Sequence, residues 1–400
     1  MPMRIQTLSD FINAMNETIW FRRPLVKKFV TSREVDLEML DRLSQTQGLL
    51  EQIPNQNGNK LLQLGDSGPI TLDVNYELEE LKKDIWFFKN GEERFNEHLQ
   101  SIHSNYIDEV AQGMDFLKGI HFLNFISDRD GTVNNYCGRY STSIQSAYNS
   151  VFLCRYAASS VKNAVILTSA PLEGPGLIDI SVNPDNIFIY AGSKGREYAD
   201  KAGRKGNFPI EDDKQKMIEK LNSRLSNLVR QEAYSDFSRI GSGLQFKFGQ
   251  TTIARQDINK SIDEQRSEEF LATIKELVNE LDPENDYFRI EDTGLDIEII
   301  LTVKDDESGQ ARDFDKGDGI SFLDESLQLG LKDGPNLICG DTNSDVSMVE
   351  TAMKKSEQTR AIFVTEDKEL KNRVRSVCPN TLFVSEPDIL ISILNKIALA

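Results

Sequence analysis

Two carboxylates, Asp128 and Asp130, stand at the end of the apolar run Phe122-Leu-Asn-Phe-Ile126, with Gly131 and Thr132 directly behind them. Such a run reads as a short buried strand. A parallel strand delivers its last side chains into the crevice at its carboxyl end, where ligands of open α/β sheets sit. Side chains two apart on extended backbone share a face. The two acids are therefore forced together, and paired carboxylates attract a divalent cation or hold a proton between them. A lone D-x-D is most often a polar turn; here three later segments supply the rest of a reaction.

Splitting a phosphoester takes an attacking atom, a proton donor for the leaving alcohol and positive charge around the oxygens. Asp128 is placed to attack phosphorus and form an aspartyl-phosphate. Asp130 is placed to protonate the leaving alcohol and then to activate water. Thr168 and Ser169 close a second apolar run, Ala164-Val-Ile-Leu167, with hydroxyls suited to phosphate oxygens. Lys316, in Asp313-Phe-Asp-Lys316-Gly-Asp-Gly, opens a helix and offers a cation to phosphate and nucleophile. Asp341 and Asp345 follow the run Asn336-Leu-Ile-Cys339. With Asp128 and Asp130, Asp341 completes a Mg²⁺ site, and Asp345 braces it from behind. Taken singly, each has a bland reading as a strand-end cap, a surface lysine or an Asp-rich turn. Their order along the chain removes most of that.

As a set and in this order, D-x-D-G-T, T-S, K-G and G-D-x-x-x-D resemble the haloacid dehalogenase superfamily of phosphatases over roughly residues 119–400. The resemblance implies a Rossmann-like core, Mg²⁺, and hydrolysis through a phospho-aspartate. The position and element order of the insert resemble the cap of sugar-phosphate phosphatases, above all the trehalose-6-phosphate phosphatases. Ala191-Gly-Ser-Lys194-Gly is similar to that family's A-G-S-H-G turn, with Lys194 in the histidine's place. Leu295-Asp-Ile-Glu298-Ile resembles its cap strand carrying a sugar-binding glutamate, and Gly243-Leu-Gln-Phe-Lys247 the strand carrying its cap lysine. Three departures stand out: Thr168-Ser169-Ala170 for the usual S-G-R, Gly340-Asp341-Thr342-Asn-Ser-Asp345 for G-D-D-x-T-D, and Arg255-Gln256-Asp257 for H-Y-R. They spare the catalytic set and bear on the choice of sugar.

The expected substrate is a sugar phosphate, trehalose 6-phosphate first, held from the cap side by Lys194, Lys247, Arg255 and Glu298. Sucrose phosphate and glucosylglycerol phosphate are the alternative substrates. A low-turnover phosphosugar-binding regulator is the alternative from another class, and the proton donor kept beside the nucleophile speaks against it.

The elements that must position these residues fall into three parts. Residues 1–115 read as a mainly helical N-terminal domain, with Leu8, Phe11, Ile12, Met15 and Ile19 at three- and four-residue steps. From Gly119 strands alternate with helices, which predicts an α/β fold with a parallel sheet covered on both faces. Residues 116–197 and 303–400 form that core. Residues 198–302 form an inserted α/β cap of helix, two strands, helix, two strands. Residues 76–114 read as one or two long helices. Gly65 and Gly68 mark turns, and Asp305-Asp-Glu-Ser-Gly309 an exposed one. The basic-aromatic cluster Trp20-Phe-Arg22-Arg23-Pro-Leu-Val-Lys27-Lys28 reads as a solvated face with snorkelling stems. Self-association or a protein partner is left open for the N-terminal domain.

Bulk composition narrows the classes. A net charge of −18 excludes nucleic acid as the main partner and docking on anionic lipid. The four cysteines, Cys137, Cys154, Cys339 and Cys378, are scattered without a C-x-x-C, which fits free thiols in a reducing, cytoplasmic setting. No signal-peptide core is present, and no run approaches the ~20 apolar residues of a membrane span.

Overall fold

A computed structural model describes residues 4–63, 69–304 and 311–400. The turns expected at Gly65, at Gly68 and over 305–309 lie outside the described residues. At the centre is an eight-stranded sheet in the order Thr381–Val384, Thr359–Val364, Asn336–Gly340, Phe122–Asp128, Val161–Leu167, Ile189–Gly192, Glu197–Ala199, Lys205–Asn207. The first six strands are parallel and the last two form an antiparallel edge. Strand Phe122–Asp128 lies in the interior of the sheet with both faces covered, which is why it reads as a continuous apolar run. Phe125 packs on one side and Ile126 on the other. In register, Asp128 sits opposite Leu167 and Ser127 opposite Cys339. The polar residues that follow all three strands thus emerge along one edge.

Helices Lys316–Leu327, Val346–Lys355 and Lys368–Val377 cover one face of the sheet; Ala147–Ser159 and Pro387–Leu399 cover the other. Beyond that second layer lie the N-terminal helices Leu8–Ser32, Leu37–Glu51, Asn75–Asn90, Glu92–Ile102 and Tyr106–Leu117, with a three-stranded antiparallel sheet between the second and third. The stretch 76–114 is broken into three helices: Gly91, with a φ of +82°, ends the first and starts the second, and the second ends at His103, whose backbone is extended. These helices keep no separate core. Phe11, Met15, Phe87 and Phe95 join Phe152 and Ile391 in one continuous apolar cluster.

The basic-aromatic cluster divides. Trp20 is 71% exposed, but Arg22 is fully buried, with Nε 2.7 Å from Asp84 Oδ2. Arg23 donates to the main-chain carbonyls of Ile178 and Ser181. Half of the expected solvated face is therefore an anchor between the first helix and the core.

The cap is a four-stranded antiparallel sheet, Phe288–Asp292, Asp296–Leu301, Gln250–Ala254, Leu244–Lys247 in spatial order, with helices Asp212–Leu228 and Glu264–Leu281 on one face. Ile253, Ile297, Ile299 and Leu301 bury against those helices. The cross-strand partners Gln245, Thr252 and Glu298, with Lys247, occupy the opposite face. Cap and core meet at Arg196, whose guanidinium donates to the carbonyls of Gly249 at 2.6 Å and Leu301 at 2.9 Å while lying over the Phe314 ring. Among the described residues no helix is long and apolar enough to cross a membrane.

The helix that begins at Lys316 is pressed against the turn 193–195. A Cβ on Gly319 would stand 2.0 Å from the Lys194 carbonyl oxygen. Gly319→Ala should therefore push the Lys316 helix off that turn, costing about 1–3 kcal/mol in denaturant unfolding and lowering kcat. Unchanged stability and rate would show that this contact is not needed.

Candidate active site

The carboxyl edge of the sheet holds a cavity of about 270 Å³ lined by Asp128, Asp130, Thr168, Ser169, Lys316 and Asp341, with Ser242 and Gln245 from the cap and Tyr136 and Tyr140 from the segment after the D-x-D. Lys316 Nζ lies 2.6 Å from Asp128 Oδ1 and 2.5 Å from Asp345 Oδ1, with all three side chains buried. The N-cap Asp315 and N3 Asp318 form a reciprocal capping box that starts the helix at Lys316, which fixes where its ammonium enters.

Asp345 is saturated. Its Oδ2 accepts from the amides of Asp341 and Thr342 and from the Thr342 hydroxyl, and its Oδ1 from Lys316. Burial works against its charge, but Lys316 and these donors hold it below the usual carboxylate range. Asp341 is pressed onto Gly131, where a Cβ would come 2.1 Å from Asp341 Oδ2 and where φ is +82°. Only glycine meets both demands. Thr132 Oγ1 lies 3.3 Å from Asp128 Oδ2 and 3.2 Å from Asp341 Oδ1, bridging the two acids.

The charge balance of this group points to a cation. Side-chain oxygens of Asp128, Asp341 and Asp345 fall within 4.8 Å of one another. Were all three carboxylates ionised against one ammonium, two negative charges would stand in a buried place. Burial pushes Asp128 up to about 7, with Lys316 pulling down and Asp345 adding to the rise. Burial, then Asp128 and Asp345, pushes Asp341 up to about 9. A divalent cation between Asp128 and Asp341 is what such a donor set accepts.

Asp130 stands apart from that group. Its Oδ1 takes hydrogen bonds from Arg129 Nη1 at 2.5 Å and Ser143 Oγ at 2.9 Å, so its carboxylate is turned toward the cavity wall. The carboxylate oxygens that come within 4.8 Å of one another are those of Asp128, Asp341 and Asp345, and the Asp130 side chain lies outside that group. Thr168 Oγ1 accepts from the Ala170 amide, which ties the hydroxyl to the strand-end turn facing the cavity.

The cap residues expected to read the sugar form a second group. Lys247 Nζ lies 3.9 Å from Glu298 Oε1. Burial lowers the Lys247 ammonium, and repulsion from nearby Lys194 adds to this while Glu298 opposes it. Lys194 sits on the turn after Ile189–Gly192 with a φ of +63°. These three do not line the catalytic cavity, whose cap-side wall is Ser242 and Gln245. Arg255 belongs to neither group. Two positions beyond Ile253, it points to the helix-covered side of the cap sheet and pairs with Glu268 at 2.8 Å and Asp292 at 3.1 Å. The structure thus places Arg255 in ion pairs within the cap, away from the cavity lining.

Sequence reasoning missed Arg129, Ser143, Tyr136, Tyr140, Ser242 and Gln245. Gln245 was readable, since it stands two positions before Lys247 on one strand and shares its face. Arg129 carried a weaker signal as the only cation inside D-x-D-G-T. Ser143 carried none.

A parallel sheet with an inserted cap and acids on its strand ends is the architecture of a haloacid dehalogenase-type phosphatase. The family model for the C-terminal part of trehalose-6-phosphate phosphatase matches residues 125–390, and that for the family's N-terminal helical bundle domain matches residues 7–106. The chain belongs to the trehalose-6-phosphate phosphatase family. It is 30% identical over 413 residues to a protein of Caenorhabditis elegans named alpha,alpha-trehalose-phosphate synthase [UDP-forming] 2, covering 98% of this chain and 33% of that protein. The chain thus spans about a third of that relative's length. A trehalose-phosphatase of Brugia malayi is 27% identical over 430 residues, covering 98% of this chain and 86% of its own length. Among solved structures, a trehalose-6-phosphate phosphatase of Aspergillus fumigatus aligns with a TM-score of 0.42 and 14% identity, covering 73% of this chain and 98% of that one.

Proposed function

We propose that this chain hydrolyses trehalose 6-phosphate to trehalose and phosphate. The observation that carries the reading is Lys316, bridging Asp128 and Asp345 beside Asp341 at the mouth of strand Phe122–Asp128. In this reading Asp128 attacks phosphorus, the P–O bond to the sugar breaks, and the Asp130 carboxyl gives its proton to the leaving oxygen. Asp130 then takes a proton from the water that cleaves the aspartyl-phosphate. Thr168 and Ser169 donate to the phosphate oxygens, and Lys316 neutralises the nucleophile until substrate arrives. Asp128 and Asp341 would hold Mg²⁺, braced by Asp345; when bound, it supplies the positive charge that lets an anionic nucleophile approach an anionic ester. Lys194, Lys247 and Glu298 meet the sugar hydroxyls when the cap closes, and Gln245 and Ser242 stand nearest the ester.

The same reading divides the chain into a helical part over 1–115, the catalytic core over 116–197 and 303–400, and the cap over 198–302. Its reducing, cytoplasmic setting is supported by four cysteines that are all buried and free. With Mg²⁺, the chain should release phosphate from trehalose 6-phosphate at least about tenfold faster than from sucrose 6-phosphate or glucosylglycerol phosphate, and EDTA should stop it. No release from trehalose 6-phosphate, with turnover of either rival, would overturn the substrate. Full activity in EDTA would overturn the cation.

A further inference from the structure

Asp130 does not hold its orientation alone. Its two donors, Arg129 and Ser143, also bind each other, Arg129 Nη1 to Ser143 Oγ at 3.0 Å and Nη2 to the Ser143 carbonyl. Ser143 belongs to residues 134–146, a strap of irregular backbone between the nucleophile strand and helix Ala147–Ser159. The strap is tied down from outside the core, by helix Asn75–Asn90. The Tyr76 hydroxyl accepts from Asn134 Nδ2 at 3.0 Å and donates to the Ile144 carbonyl at 3.1 Å, so one oxygen joins both ends of the strap. Glu77 Oε1 accepts from Thr142 Oγ1 at 2.6 Å and Arg139 Nη2 at 3.0 Å. Glu80 accepts from Asn135 Nδ2, and Asp84 from the Tyr148 amide. Positions 76, 77, 80 and 84 share one helical face. A face that would ordinarily meet water is spent on the residues behind the proton donor.

We propose that Tyr76 and Glu77 are positioning residues for Asp130. They set the strap, the strap sets Ser143 and Arg129, and these aim the carboxyl. The inference rests on the reading of Asp130 as the proton donor. It gives the N-terminal helices a part in the chemistry in place of the partner-binding role left open for them. Proton transfer demands heavy atoms within about 2.6–3.2 Å of each other, so a slack strap should slow that step and leave binding alone.

The test uses the full chain and the variants Tyr76→Phe, Glu77→Gln and Asp130→Asn. Single-turnover phospho-enzyme formation is followed from two esters. Trehalose 6-phosphate leaves as an alkoxide that needs a proton; p-nitrophenyl phosphate leaves as a phenolate that does not. Asp130→Asn should lose at least about a hundredfold with the sugar ester and far less with the aryl ester. Tyr76→Phe and Glu77→Gln should show the same selectivity at smaller scale, about tenfold against less than about threefold, with KM for the sugar ester unchanged. Equal losses with both esters, alongside a lowered melting temperature, would mark the two residues as structural only and overturn the proposal. So would wild-type rates in both variants. If Asp130→Asn shows the selectivity and the helix variants do not, the positioning alone fails. If Asp130→Asn does not show it, the proton-donor reading fails and the positioning falls with it.

Discussion

Asp128→Asn should abolish turnover, by about 10⁴-fold or more, while the chain still folds. An amide cannot attack phosphorus, and no neighbouring acid is placed to replace it: Asp345 is saturated with donors, Asp130 has one oxygen held by Arg129 and Ser143 and serves as the proton donor in this reading, and Asp341 follows the neighbouring strand Asn336–Gly340. The fold should survive for an electrostatic reason. Burial already pushes the Asp128 carboxyl up to about 7, so its charge is costly in the free protein. Removing that charge relieves its repulsion with Asp345 and Asp341, and Lys316 keeps Asp345 as a partner at 2.5 Å. Phosphate release and thermal melting on the same preparation decide the matter. Retained activity would refute the nucleophile; loss of melting cooperativity would show that Asp128 holds the site together as well.

The gathering of Asp128, Thr168, Lys316 and Asp341 at one sheet edge was legible because each piece sits directly after a buried parallel strand or at a helix start. Asp128, Thr168 and Asp341 each follow an apolar run, and Lys316 follows a capping Asp; period and turn chemistry mark all four without tertiary knowledge. Lys316 lies 188 residues from Asp128, yet both are strand- or helix-end residues, and a doubly covered sheet gathers such ends at one edge. The direction of a side chain in irregular backbone was not legible. Arg255 stands just past a strand end, where sequence does not reveal whether the alternation continues; it does, and it carries the guanidinium to Glu268. The shared face expected for Asp128 and Asp130 assumes extended backbone through both, but the strand ends at Asp128 and turns at Arg129, and Ser143, thirteen residues on, binds the Asp130 carboxyl. The part of the helix Asn75–Asn90 that faces the strap was the least legible. Its Glu77, Glu80, Lys83 and Asp84 have the spacing of a solvated, ion-paired surface. Burial of all four depends on distant partners, from the strap for Glu77 and Glu80, from the last helix for Lys83, and from Arg22 and the Tyr148 amide for Asp84, which no local pattern announces.

That buried face makes the second large expectation a matter of stability. Asp388, on the last helix, is fully buried and accepts four hydrogen bonds: from Asn135 and Tyr148 on Oδ1, and from Lys83 and His103 on Oδ2. Every partner presents a donor. Asp388→Asn would aim an amide N–H₂ at donors on one side and remove the charge that faces Lys83, leaving Lys83 with Glu80 alone at 2.8 Å. Breaking a buried, hydrogen-bonded pair from one end costs about 3–5 kcal/mol. Urea unfolding at neutral pH should show that loss. The pH dependence follows from the sign of the shift. Burial would raise the Asp388 carboxyl, but Lys83 and the hydrogen bonds from His103, Lys83 and Tyr148 hold it below its ordinary 3.8. A carboxyl depressed by folding contributes stability that is present above its unfolded value and lost as the pH falls toward its folded one. The gap between wild type and Asp388→Asn should therefore be widest at neutral pH and narrow below about pH 4. A gap that stays constant into acid would mean the cost is shape, not charge. No gap at neutral pH would mean that the last helix and the Asn75–Asn90 helix hold the strap by apolar contact alone.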